Sequence, residues 1–190
     1  MSEPFRILGV SGSLRRGSYN RAVLRAAQRL VPDGTAIETF DGIGELPFYS
    51  EDEEGELTPD AVLAFRQRID EADAVLIVTP EYNGSLPGVL KNALDWSSRP
   101  FGNTAIVGKP ALVIGASTSP FGATWAQEHT RKALQLSGAR PYEVGHGVGR
   151  VADLLDDDGE LAHLETEVAL STLLGEFVSW ARSPVAVDDF

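Results

Sequence analysis

Ser11-Gly12-Ser13-Leu14-Arg15-Arg16-Gly17-Ser18-Tyr19-Asn20 lies between an apolar run, Ile7-Leu8-Gly9-Val10, and an amphipathic stretch from Arg21 to Leu30. The order predicts a buried strand, a loop rich in glycine and hydroxyls, and then a helix start. The N–H groups that open a helix lack intrahelical partners and carry partial positive charge, so such a loop is a natural seat for a phosphate dianion. Its serines and asparagine add hydrogen-bonding groups, and Arg15 or Arg16 can add a charge-assisted fork.

The rest of the chain repeats the alternation. Strands are expected near Phe5–Val10, Ala36–Phe40, Ala74–Thr79, Ala111–Ala116 and Arg140–Val144. Helices are expected near Tyr19–Leu30, Pro59–Glu71, Leu86–Ser97, Trp125–Ser137 and Leu161–Ala181. In the third helix Leu86, Val89, Leu90, Ala93 and Leu94 form an apolar stripe, with Lys91 and Asp95 off it. The fold class implied is α/β: a flavodoxin-like three-layer α/β/α sandwich with a five-stranded parallel sheet in the order 2-1-3-4-5. A chain of 190 residues, 43% hydrophobic, is read as a single domain spanning 1–190. In this plan ligands sit at the carboxyl ends of the strands, where Ser11–Asn20, Pro80–Ser85 and Ser117–Gly122 should converge.

A net charge of -12 argues against a nucleic-acid coat and makes the basic loop a local site. The absence of cysteine excludes disulfides, thiolate metal sites and a cysteine nucleophile, and fits a cytoplasmic location. The opening Met1-Ser2-Glu3-Pro4 has no signal-peptide pattern and no run reaches membrane-spanning length, so neither export nor membrane insertion is expected. Glu51-Asp52-Glu53-Glu54-Gly55-Glu56 reads as a solvated loop, and Asp156-Asp157-Asp158-Gly159 as a turn; no metal site is expected.

The loop chemistry narrows the phosphate. A P-loop needs a lysine after its second glycine, where this chain has Gly17-Ser18. A dinucleotide fingerprint needs bare glycine backbone against a pyrophosphate, where this chain has serines and arginines. A ring of side-chain donors suits a compact phosphomonoester such as that of FMN. Thr79-Pro80-Glu81-Tyr82-Asn83-Gly84-Ser85, directly after the third strand, is either an ordinary turn or a flat, polar-edged border for a flavin ring.

Three runs, Gly12 to Asn20, Thr79 to Ser85 and Gly88-Val89-Leu90-Lys91-Asn92-Ala93-Leu94-Asp95-Trp96, together resemble the NADPH-dependent FMN reductase family of bacterial quinone and chromate reductases. The resemblance implies that Ser11, Ser13, Arg15, Ser18 and Asn20 hold the FMN phosphate and the adjoining ribityl chain, with Arg16 facing solvent. It implies that Pro80, Glu81, Tyr82 and Asn83 line the isoalloxazine, with backbone of Asn83 and Gly84 at its pyrimidine end, and that Ser117 closes the other side. Pro120 and Phe121 depart from the small residues usual in that third loop and bear on acceptor access.

The activity so implied is an FMN-dependent NAD(P)H oxidoreductase, with NADPH or NADH as co-substrate and quinones or similar small acceptors, working by ping-pong turnover. The flavin supplies the chemistry, so no catalytic residue is required and His129, His146 and His163 are expected to be structural or exposed. Arg15, Arg16 and Arg99 are the cations available to a 2′-phosphate. The family pattern also implies a homodimer or homotetramer, with Trp96, Phe101, Phe121 and Trp125 as aromatics suited to a core or an interface, and Lys91, Asn92 and Asp95 in structural or contact roles. The alternative is a flavodoxin-type electron carrier, against which stands the lack of a flanking tryptophan in Thr79–Ser85. A third, an NTP-using domain, predicts no bound flavin.

Overall fold

A computed structural model describes residues 3–102 and 104–183. Met1 and Ser2, part of the opening read for an export signal, lie outside the described residues. The first four strands are β1 (Phe5–Ser11), β2 (Thr35–Phe40), β3 (Ala74–Thr79) and β4 (Pro110–Ala116). All pairings are parallel and the order is β2-β1-β3-β4, continued by a fifth position. The α-helices among the described residues are α1 (Tyr19–Leu30), α2 (Asp60–Asp70), α3 (Gly88–Ser97), α4 (Thr124–Leu136) and α5 (Leu164–Ala181). Among the described residues no helix is long and apolar enough to cross a membrane.

Every residue of β3 (AVLIVT) and of β4 (PALVIGA) is buried, because helices cover both faces of the sheet. Strand alternation divides the core in two. Ile7, Leu76, Val78, Leu112 and Ile114 pack with Val23 and Leu24 of α1 and Leu170, Leu174 and Phe177 of α5. Leu8, Val10, Val75, Ile77 and Val113 pack with Phe65 and Ile69 of α2, Leu90 and Trp96 of α3 and Leu134 of α4. Full burial of a side chain of this size contributes about 1.5–3 kcal/mol. The predicted stripe of α3 is real, with Leu90, Ala93 and Leu94 buried, and the helix starts after the extended Pro87 instead of at Leu86.

The fifth strand differs from the expected Arg140–Val144. It is made of two short pieces, β5 (Arg140–Pro141) beside Pro110–Ala111 and β6 (His146–Val148) beside Ile114–Ala116. Pro141 has no N–H to continue the ladder. The chain then passes close over α4, where a Cβ on Gly145 would collide with the Arg131 guanidinium and lie 2.6 Å from Gln127 Oε1. It rejoins the sheet only at glycine-rich His146-Gly147-Val148-Gly149. There the backbone of the loop after β4 lies directly on strand backbone: a Cβ on Gly115 would collide with the Gly122 carbonyl, one on Gly122 with Gly147, and one on Gly149 with the Pro120 carbonyl. Gly122 also holds φ +58°, a conformation that suits glycine.

The acidic run is not wholly solvated. Glu51, Asp52 and Glu56 are exposed, but Glu54 turns inward to accept a 2.7 Å hydrogen bond from the Tyr49 hydroxyl and pairs with Arg99 at 3.4 Å. Asp156–Gly159 is a turn closed by Gly159 N–H on the Asp156 carbonyl at 3.0 Å.

Two predictions follow from the packing. Gly115→Ala should destabilise the protein by about 1–3 kcal/mol through forced displacement of the loop at Gly122. Gly175→Ala, in the interior of α5 with nothing within 4 Å of the added carbon, should stabilise it by about 0.5–1 kcal/mol; urea midpoints of the two variants check both signs. Burial pushes the His146 imidazole below its ordinary value of 6.5, so the unfolded chain takes up this proton before the folded one does. The group should have no effect above pH 6.5 and reduce stability as pH falls through the folded value. The stability difference between His146→Gln and wild type, followed in urea from about pH 7.5 to about pH 5.5, should show the variant losing less.

Candidate functional site

The chain order reverses direction in the sheet between β1 and β3, and the loops leaving the carboxyl ends of β1, β3 and β4 meet there. The first loop is built around buried hydroxyls. Ser11, Ser13 and Ser18 expose 6%, 4% and 6% of their surfaces. Ser11 Oγ accepts from Ser13 N–H at 3.3 Å, Ser13 Oγ accepts from Arg15 N–H at 3.4 Å, and Ser18 Oγ caps α1 by accepting from Arg21 N–H at 3.3 Å. In each bond the hydroxyl is the acceptor, so its own proton remains available to an anion.

Asn20 has the opposite polarity. Its Nδ2 donates to the Ala116 carbonyl at 3.3 Å, which fixes the orientation of the amide and ties the first loop to the end of β4. Its Oδ1 is buried and has no partner among the described residues. An acceptor in that state calls for a donor, which a ribityl hydroxyl provides and a phosphate oxygen does not. Arg15 is exposed and curls over the loop, its guanidinium 4.4 Å from the Tyr19 ring centroid and bonded to the Gly17 carbonyl. Arg16 is exposed, as expected.

The second loop rests on the first. Gly12 N–H donates to the Val78 carbonyl at 2.8 Å, and a Cβ on Gly12 would lie 3.3 Å from both Pro80 Cδ and Thr79 Oγ1. Tyr82-Asn83-Gly84-Ser85 is a two-residue reverse turn, closed by Tyr82 N–H on the Ser85 carbonyl at 3.0 Å and by the reciprocal bond at 3.1 Å. Asn83 and Gly84 take φ of 51° and 74°, the left-handed pair that Asn-Gly tolerates best. Tyr82 is exposed beside it. The carboxylate of Glu81 accepts from Trp125 N–H at 3.0 Å and Ala126 N–H at 3.2 Å, so it caps the first turn of α4.

The third loop is held to the split fifth strand. Ser117 N–H donates to the Val148 carbonyl at 3.1 Å, Arg150 N–H to Ser119 at 2.9 Å, and Ser117 Oγ lies 2.9 Å from Ser119 Oγ. Phe121 stands exposed at its tip.

Two residues at this edge had not been assigned a part in it. Trp125 and His129 stand one turn apart on α4. The indole lies against the turn, with Cε3 3.6 Å from where a Cβ on Gly84 would be, and His129 Nδ1 is 2.9 Å from Ser85 Oγ. Their i,i+4 spacing just after the third loop is the signal that could have placed them. His163 and His146 are elsewhere, the one bonded to Thr166 ahead of α5 and the other in β6.

Arg99 follows the C-terminus of α3, about 15 Å along the helix from the second loop. It is engaged by Glu54 and stacked 5.3 Å from the Tyr49 ring centroid, whereas Arg15 and Arg16 lie in the first loop itself. Asn92 and Trp96 brace the chain after β2: Asn92 Oδ1 accepts from Tyr49 N–H at 2.9 Å, and Trp96 Nε1 donates to the Pro47 carbonyl at 2.8 Å. Lys91 and Asp95 form an exposed pair at 2.6 Å. Among the described residues no cluster of three or more His, Asp or Glu is placed to hold a metal ion.

Free hydroxyl protons, one unsatisfied acceptor and a polar-edged turn beside them fit a phosphorylated, polyhydroxylated ligand with a planar ring, which is the make-up of FMN. The comparisons with known proteins point to the same cofactor. The model of the family described as NADPH-dependent FMN reductase matches residues 5–148. An NAD(P)H-dependent FMN reductase of Pseudomonas aeruginosa is 50% identical over 183 residues, covering 96% of this chain and 98% of its own. A quinone reductase of Pseudomonas putida is 40% identical over 188 residues, covering 98% and 100%. Among solved structures, the FerB flavoenzyme NAD(P)H:(acceptor) oxidoreductase of Paracoccus denitrificans superposes with a TM-score of 0.82 at 34% identity, covering 93% of this chain and 96% of that one. The chain belongs to the NADPH-dependent FMN reductase family.

Proposed function

We propose that this protein is an FMN-dependent NAD(P)H oxidoreductase whose acceptors are quinones or similarly small molecules. Membership of the family supports the activity. The observation that carries the cofactor assignment is the polarity of the first loop, where three buried serines keep their protons free and Asn20 Oδ1 lacks a donor. Ser11, Ser13, Ser18 and Arg15 then hold the phosphate, Asn20 receives a ribityl hydroxyl, and Pro80, Glu81, Tyr82, Asn83 and Gly84 border the ring, with Ser117 opposite.

When bound, FMN supplies the two-electron chemistry, taking hydride from NAD(P)H and delivering it to the acceptor. The protein's share would be to seat the cofactor and leave room beside it for two planar substrates in succession, from which ping-pong turnover is expected. Tyr82, Phe121 and Trp125, all largely exposed at this edge, would give a quinone apolar surface to lie against. The chain is read as working through one FMN-binding domain in the cytoplasm, as a homodimer or homotetramer.

The purified protein supplied with FMN should show flavin absorbance that bleaches on addition of NADPH under argon; a protein that takes up no flavin overturns the cofactor assignment, and a bound flavin that NADPH leaves oxidised favours a carrier over an enzyme. Arg15→Ala should weaken FMN binding by about 1.5–3 kcal/mol, roughly ten- to hundred-fold in Kd; unchanged affinity removes Arg15 from the site. Initial rates at several fixed NADPH concentrations against varied quinone should give parallel double-reciprocal lines, and intersecting lines would rule out ping-pong.

A further inference from the structure

We propose that His129 is a positioning residue for the reductase reaction, holding the Tyr82–Ser85 turn in place through the hydroxyl of Ser85. The proposal rests on the reading of that turn as the border of the flavin. The turn leaves the sheet edge on a short reach of chain, and its internal hydrogen bonds close it on itself without tying it to the core. Hydrogen bonds from two side chains, Glu81 and Ser85, attach this segment to α4. Before the turn, Glu81 accepts from Trp125 and Ala126 N–H at 3.0 and 3.2 Å; at its end, Ser85 Oγ meets His129 Nδ1 at 2.9 Å.

The two attachment points lie one helical turn apart on the same element. A single contact at Glu81 would leave the turn free to swivel about it, whereas a second contact beyond the turn fixes its direction as well as its distance. The Trp125 ring against Gly84 fills the space between them. Either tautomer of a neutral imidazole serves, since the Ser85 hydroxyl can donate to Nδ1 or accept from it. His129 is exposed on the helix, so its contribution to folding is small and the effect of removing it should fall on turn geometry. Misplacing a bound group by about 1 Å is enough to slow a reaction measurably.

The test uses the FMN-loaded enzyme with NADPH and benzoquinone. His129→Leu should lower kcat about three- to ten-fold, the loss expected for one neutral hydrogen bond in a positioning role, and alter the visible circular dichroism of the bound flavin, with FMN affinity and thermal midpoint unchanged. His129→Asn, whose amide reaches the position of Nδ1, should recover most of the rate. Ser85→Ala should match His129→Leu, and the double variant should fall no further. Wild-type kcat in His129→Leu, or losses that multiply in the double variant, would overturn the proposal. Gly84→Ala, which strains the turn directly at φ +74°, separates the two levels. If it changes the flavin signal while His129→Leu does not, only the role of His129 fails; if neither changes it, the turn does not border the flavin and the site reading fails with it.

Discussion

Burial of β3 and β4 on both faces is the constraint from which the rest of the molecule follows. A sheet covered by α1 and α5 on one side and by α2, α3 and α4 on the other has no open face to offer a ligand. Chemistry is confined to the strand ends, and parallel strands put all their carboxyl ends on one edge. The reversal of strand order between β1 and β3 opens a crevice at that edge, into which the first two loops emerge side by side. The Asn20 amide, reaching to Ala116, then joins the first of them to the strand that carries the third.

Charge explains how an acidic protein holds an anion. With a net charge of -12, the long-range field opposes a phosphate. At short range the first loop offers the opposite character, since the hydroxyls of Ser11, Ser13 and Ser18 accept from backbone N–H groups and keep their own protons to donate.

What could be read from the sequence was what local patterning controls. Apolar runs such as Ala74–Thr79 show their burial directly, and the start of α1 at Tyr19 is marked by the change from loop residues to helical periodicity. The composition of the first loop likewise identifies the kind of ligand. What escaped was decided between segments distant in sequence. The break in the fifth strand depends on Gly145 passing over Arg131 and Gln127, and no pattern in 140–148 reports the presence of α4. Glu54 stands in an acidic run that looks solvated, yet the phenol of Tyr49 and the guanidinium of Arg99 draw it inward. Glu81 reads as part of a ligand loop while its carboxylate serves the helix that follows the next strand, and His129 shows its contact only once that helix is docked.

The division of the interior into two cores gives the crevice an unequal foundation. Adjacent residues of β1, Ile7 and Leu8, belong to different cores, and the loop that follows them leads into α1 on one side of the sheet while the turn after β3 leads into α3 on the other. The two walls of the crevice thus lead into different cores, and Gly12, where an added Cβ would lie 3.1 Å from Leu90 Cδ2, is a point at which the first wall also touches the second core.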